Sequence, residues 1–246
     1  MNEINYSRQT EILDFTQDVA VQRKFFSSVF TYMGAGLAIS GLLAYLLGKV
    51  YIAEWLPMLI NETGIGMSIF GYAIMFSPLI FTLFMGGLME RASLNVLMAA
   101  FSAFAIVMGM SLSTIFMVYT EASILTIFFV TAATFALFAF LGYTTKLDLT
   151  KLGMICGIGF LALVVVSLIN FFFIESAGLD YIMSGIGVLL VVGLIAYKMQ
   201  HLKNIAAGLE YGDATYTKRA LIGAFTLYIS FINLFMFLLR LFGRRD

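Results

Sequence analysis

Few residues in this chain have side chains that can do chemistry. They are Lys198 in "GLIAYKMQHLKNIA" (193–206), His201 in the same stretch, Cys156, Ser111 and Ser113 in "GMSLSTIF" (109–116), and Asn233 and Arg240, seven apart. Lys198 follows a tyrosine at the end of a long apolar run, where an ammonium is costly near hydrocarbon. One histidine and one cysteine cannot build a structural zinc site. The two serines do not form the G-x-S-x-G turn that exposes a nucleophile. A histidine-dependent serine protease would need His201 to meet a serine, and an aspartyl protease would need two aspartates inside the membrane. The apolar runs contain no aspartate in their interiors. The expectation is a protein without enzymatic activity, cofactor or metal site, in which the serines serve helix–helix hydrogen bonding.

The elements that must position these residues are legible from composition. Hydrophobic residues make up 61% of the 246 and charged residues 11%, against roughly 25% charged in a soluble domain. A formal net charge of zero gives no reason to expect nucleic acid as a partner. Crossing a bilayer takes about 20 apolar residues. Seven runs qualify: 25–47, 67–89, 93–117, 122–142, 152–174, 181–199 and 219–242. In lipid, backbone groups must be satisfied within the segment, so the runs are helices. The expected fold is an all-α integral membrane protein with seven spans over 25–246, after a polar tail at 1–24 that lies in the cytoplasm and has a short amphipathic segment.

Smaller signals refine this. "MVYTEA" leaves room only for a tight turn between spans 3 and 4. The segment 50–60, with Glu54, Trp55 and Pro57, reads as interfacial. Pro78 is placed to kink span 2, and Gly153 with Gly157 forms a weak GxxxG signal. Thr150, in "GYTTKLDLTKLG" (142–153), is expected to cap the fifth span. With the N-terminus inside, ten Lys and Arg residues fall on inner segments and three on outer ones, with Arg240 inside the last span. That asymmetry favours an internal N-terminus and external C-terminus. Six spans plus a re-entrant last segment is the alternative.

"GYTTKLDLTKLG", "IAYKMQHLKN" (195–204), "MSLSTIFMVYTEASI" (110–124) and "AFTLYISFINLFMFLLRLFGRR" (224–245) closely resemble the bacterial branch of the transmembrane Bax inhibitor motif family. The resemblance covers roughly residues 25–245. It implies two groups of three helices around a central seventh, in a bacterial inner membrane. It also implies a pH-sensitive calcium leak, since characterised bacterial members behave so. Eukaryotic relatives restrain cell death and lower the calcium of internal stores, and some bacterial relatives are linked to a membrane-bound quality-control protease. The family's sensor is an aspartate near the end of span 6 facing another inside span 7, a pair that shares a proton and gates a cation path. At those positions this chain has Lys198 and Ser230. Both acids are missing, and a lysine repels the cation such a site would bind.

Two placements of Lys198 follow. It either snorkels to the headgroups with Lys203, or it points into the bundle in place of the lost carboxylate. For the inward case the expected partner is Glu90 at the end of span 2. Beside Glu90 stands Arg91, about one turn from where the resemblance implies a basic latch. The positions that could form an ion path or sensor are therefore Lys198, Ser230, Glu90, Arg91 and Asn233. Expected partners are the lipid bilayer, calcium or another cation, and, in the alternative reading of a non-conducting interaction protein in a stress response, a membrane protease.

Overall fold

The computed structural model describes residues 2–61, 66–209 and 214–244; side-chain positions of 2–19, Glu90 and Ala214 lie outside the description. The described elements are helices, with one isolated bridge between Ile60 and Met67. They are α1 Asn2–Tyr45, α2 Ile52–Leu59, α3 Ile69–Arg91, α4 Leu94–Leu112, α5 Glu121–Thr144, α6 Thr150–Ile169, α7 Ala177–Ala206 and α8 Ala214–Phe242.

Among the described residues, seven stretches are long and apolar enough to cross a membrane: Ala20–Val50, Ile69–Met89, Leu94–Met117, Glu121–Thr144, Thr150–Ile174, Ala177–Ala206 and Thr215–Phe242. They coincide with the seven runs read from hydropathy. The largest shift is at the end of α7, which continues as helix through the polar "MQHLKNIA". Helix propensity and packing carry it on where apolar composition has stopped. The backbone of the N-terminal segment is likewise one helix with the first span, without an intervening break.

The course of α8 decides between six and seven spans. Near its start, Tyr216 packs edge-on against Phe25, early in the membrane-crossing part of α1, with ring centroids 5.7 Å apart. Beyond its end, the Arg244 carbonyl accepts the Thr120 N–H at 3.1 Å. The next residue, Glu121, pairs with Lys49 past the far end of α1 at 2.9 Å. Helix α8 therefore runs parallel to α1 from one end of the bundle to the other. Its 29 residues cover about 43 Å, and no re-entrant turn interrupts them.

The connections use local chemistry. Pro78 lies inside α3 and supplies no N–H to the Ile74 carbonyl; the Ser77 hydroxyl donates to that carbonyl at 2.7 Å instead. The helical hairpin between α4 and α5 has a 3-10 turn, Ser113–Met117, and Thr120 as the cap of α5. Helix α2 is too short to span, and it folds back to bury Trp55, whose Nε1 donates to Ser113 Oγ at 2.8 Å. Between α6 and α7, Glu175 takes left-handed backbone (φ 53°). The buried Asn170 side chain supports that turn by accepting from the Ser176 N–H and donating to its carbonyl and to Asp180.

Helix α4 packs on α1 and α3, α7 packs on α5 and α6, and α8 packs on α1, α4, α5 and α7. Of the most apolar stretch of α8 72% is buried, against 17–39% for the other spans. With no hydrophobic driving force in lipid, close approach and polar contacts carry much of this packing. A Cβ on Gly142 of α5 would run into the backbone of Ala196 on α7. The Gly153/Gly157 pair is only half used: Gly153 lies against the Tyr197 ring, whereas nothing is within 4 Å of a Cβ at Gly157.

Candidate functional site

Lys198 points into the bundle. It follows Ile195 by three residues and precedes Leu202 by four, and both are buried, so it shares the face that α7 turns to its neighbours. Its Nζ donates to Ser230 Oγ at 2.8 Å and to the Thr226 carbonyl at 3.3 Å. The Ser230 hydroxyl donates to that same carbonyl at 3.0 Å, which leaves its oxygen free to accept from the ammonium. The two positions where the resemblance places facing aspartates thus do face each other, as a cation and a neutral hydroxyl. Hydrogen bonds to a charged group contribute about 1.5–3 kcal/mol, which offsets part of the cost of drawing the ammonium from water.

Placement at the headgroups is therefore wrong for Lys198, and Lys203 does not behave as expected there either. Lys203 Nζ donates to the Tyr143 carbonyl at 2.9 Å and sits 4.9 Å from the centre of that ring. A cation at the last turn of α5 meets carbonyls that have no intrahelical partner and the negative end of the helix dipole.

The remaining predicted positions are not brought together in the same way. Glu90, the expected partner of Lys198, has a side chain outside the described residues. Arg91 is exposed at the end of α3. Asn233 is half-buried, one turn beyond Ser230, and Arg240 is exposed. His201 is exposed and stacks on Tyr197. Among the described residues no three His, Cys, Asp or Glu side chains gather where they could hold a metal.

Other functional contacts escaped the sequence reading. Ser40 Oγ, buried in α1, reaches the Gly36 and Ala105 carbonyls at 2.9 Å each and the Tyr228 hydroxyl at 2.5 Å. This ties α1, α4 and α8 together beside the α7–α8 contact. Gln200 clamps the α5–α6 loop, accepting from the Leu149 N–H at 2.9 Å and donating to the Leu147 carbonyl at 2.7 Å. Thr150 is not the cap. Asp148 Oδ1 accepts the Thr150 N–H at 2.9 Å, and bonds from the Thr150 hydroxyl and N–H hold this exposed carboxyl below its ordinary pKa. An aspartate two residues upstream reaches that N–H as an Asx turn does.

A longer feature runs along α8. From 219 to 240 the residues that escape full burial are Arg219, Ile222, Thr226, Ile229, Asn233, Met236 and Arg240, spaced alternately by three and four. They form one continuous stripe. On one side of it Phe225 and Tyr228 pack on Phe101 and Phe104 of α4. On the other side Ser230 meets Lys198 of α7. Every second member of the stripe is polar, and these four are seven apart along the chain: Arg219, Thr226, Asn233 and Arg240. That spacing was the available signal, and only its last two members were read from the sequence.

Comparison with known proteins agrees with this architecture. The sequence model of the family described as "Inhibitor of apoptosis-promoting Bax1" matches residues 22–246. The inner membrane protein YbhL of Escherichia coli K12 is 33% identical over 90% of this chain and 92% of its own. A protein of Borreliella burgdorferi is 34% identical over 95% and 99%. The Rickettsia prowazekii protein RP147 is 35% identical over 91% and 90%. This chain is a multi-pass membrane protein and belongs to the Bax inhibitor family.

Proposed function

We propose that this protein is a non-enzymatic inner-membrane bundle, with its N-terminus inside, in which a fixed α7–α8 contact stands where the family resemblance places a proton switch. The observation that carries this reading is the 2.8 Å bond from Lys198 Nζ to Ser230 Oγ. The Ser230 hydroxyl does not titrate in the physiological range, so it cannot share a proton across the contact as a facing carboxylate would. An ammonium in that position also repels divalent cations. Calcium leak is accordingly weak and insensitive to pH. The inner-membrane location is supported by the likeness to YbhL, and the orientation by the ten-to-three distribution of basic residues.

Purified protein in liposomes, assayed for calcium influx at about pH 6 and about pH 8, tests the proposal. Small, equal fluxes at the two pH values are expected, and a large influx at one of them removes the reading. A second reading, a non-conducting protein that modulates a membrane protease or a stress response, is favoured by the same lysine. It predicts calcium influx no greater than in protein-free vesicles.

A further inference from the structure

We infer that the groove between α1 and α5 holds one anionic phospholipid, with its phosphate at Arg23 and an acyl chain along the groove. The inference goes beyond the preceding reading, which concerns ion flux, and does not depend on it.

Helices α1 and α5 both pack on α8. They meet each other where the Phe26 and Tyr143 rings stand edge-on, with centroids 5.2 Å apart. Beside that contact a cavity of about 730 Å³ lies between them, with Phe231 of α8 in its lining. Small residues make the space, Gly34 on α1 and Ala132 and Ala136 on α5. A Cβ at Gly34 would meet nothing within 4 Å. The rings of Phe30 and Phe140, one on each helix, line the cavity and are exposed. Both lie within membrane-crossing stretches, so the cavity opens sideways to hydrocarbon. Along α1 its lining runs from Arg23 to Leu37, 14 residue steps or about 21 Å. One leaflet with its headgroups is half of a bilayer of roughly 40–45 Å, so the groove has the depth of one leaflet.

Charge decides which end takes the headgroup. Arg23 is exposed at the mouth. The Lys203 ammonium lies 4.9 Å from the centre of the Tyr143 ring, which also lines the cavity. None of the residues described as lining it is acidic. A second cavity, of about 330 Å³, shares Leu37 and Phe231 with the first, and its lining includes Glu121 and no lysine or arginine. An anion is therefore favoured at the Arg23 end alone. A guanidinium donates two parallel hydrogen bonds to phosphate oxygens, and basic pockets between membrane helices take anionic headgroups. A phospholipid joins one anion to an apolar chain of one leaflet's length, which is the pattern the groove presents.

The test is native mass spectrometry of the full-length protein in mixed micelles with equal amounts of phosphatidylglycerol and phosphatidylcholine. Wild type should retain one phosphatidylglycerol, favoured about fivefold over phosphatidylcholine, and Arg23→Gln should lose the preference. Gly34→Leu projects into open space and should remove retention of both lipids. Gly157→Leu, also in open space but on α6, should change neither, which separates filling of the groove from any general effect of a larger side chain. Equal retention of the two lipids by wild type overturns the inference, as does a preference that survives Arg23→Gln or retention that survives Gly34→Leu. Dimers that cross-link through Gly34→Cys in liposomes, in a Cys156→Ala background, would put a second copy of the chain in the groove and overturn it as well.

Discussion

Ser40 Oγ and Tyr228 Oη lie 2.5 Å apart, both fully buried, where α1, α4 and α8 meet. The serine's single proton serves the Gly36 or Ala105 carbonyl, so the tyrosine donates to Ser40. Ser40→Ala leaves a buried hydroxyl without that partner, which costs about 1–3 kcal/mol. Tyr228→Phe removes the donor itself and costs less, about 0.6 kcal/mol by the average for hydrogen bonds in membranes. Unfolding in mixed micelles should rank the variants in that order. The double variant should be less destabilised than the sum of the two singles, and strict additivity would show that the pair does not interact.

Gly142→Ala should weaken the α5–α7 contact by about 1–3 kcal/mol, because the new methyl meets the backbone of Ala196, which cannot move aside. Gly157→Ala enters open space and should be neutral or stabilising by up to about 1 kcal/mol, from helix propensity alone. Thermal aggregation in detergent reads both. Equal effects would mean that α5 and α7 do not approach as closely as described.

Asp148 gives the α5–α6 loop a sensitivity to acid. Its carboxyl is held below its ordinary pKa by the Thr150 hydroxyl and N–H. A depressed folded pKa adds stability that is present above the unfolded value of about 3.9 and is lost as pH falls through the folded value. The protection of the Thr150 amide, measured as exchange relative to the intrinsic rate at each pH, should therefore hold at neutral pH and fall only below about pH 4. Asp148→Asn should abolish the transition. A transition that persists in the variant would assign it to another group.

A reporter fused after Asp246 should be active outside the cytoplasm. Arg244 bonds to Thr120 and Ser123, which places the C-terminal end beside the α4–α5 hairpin, opposite the start of the first span. Activity only in the cytoplasm would reverse the orientation assigned to the bundle.

The seven spans were legible because hydropathy over about 20 residues is what the bilayer itself selects. The side chains that hold the spans together were not. Ser40 and Tyr228 are 188 positions apart, and Gln200 reaches a loop 51 residues upstream; no local pattern announces either. Lys198 was ambiguous for a different reason. It sits eight residues before the end of α7, about 12 Å along the helix, close enough to the boundary for snorkelling. Only the packing of α8 against that face fixes its direction. Thr150 was misjudged because an aspartate two residues earlier satisfies the same N–H.

The most direct measurement compares calcium influx through wild type with that through Lys198→Asp combined with Ser230→Asp, in liposomes between about pH 6 and pH 8. The lysine and serine face each other at 2.8 Å, so the double variant sets two carboxylates against one another, and such a pair takes up and releases a shared proton. The predicted result is small, flat influx in wild type and influx that changes severalfold with pH in the double variant, with a lesser change in Lys198→Asp alone. Strong pH-gated influx through wild type would contradict the claim, because a proton switch would then exist without either acid.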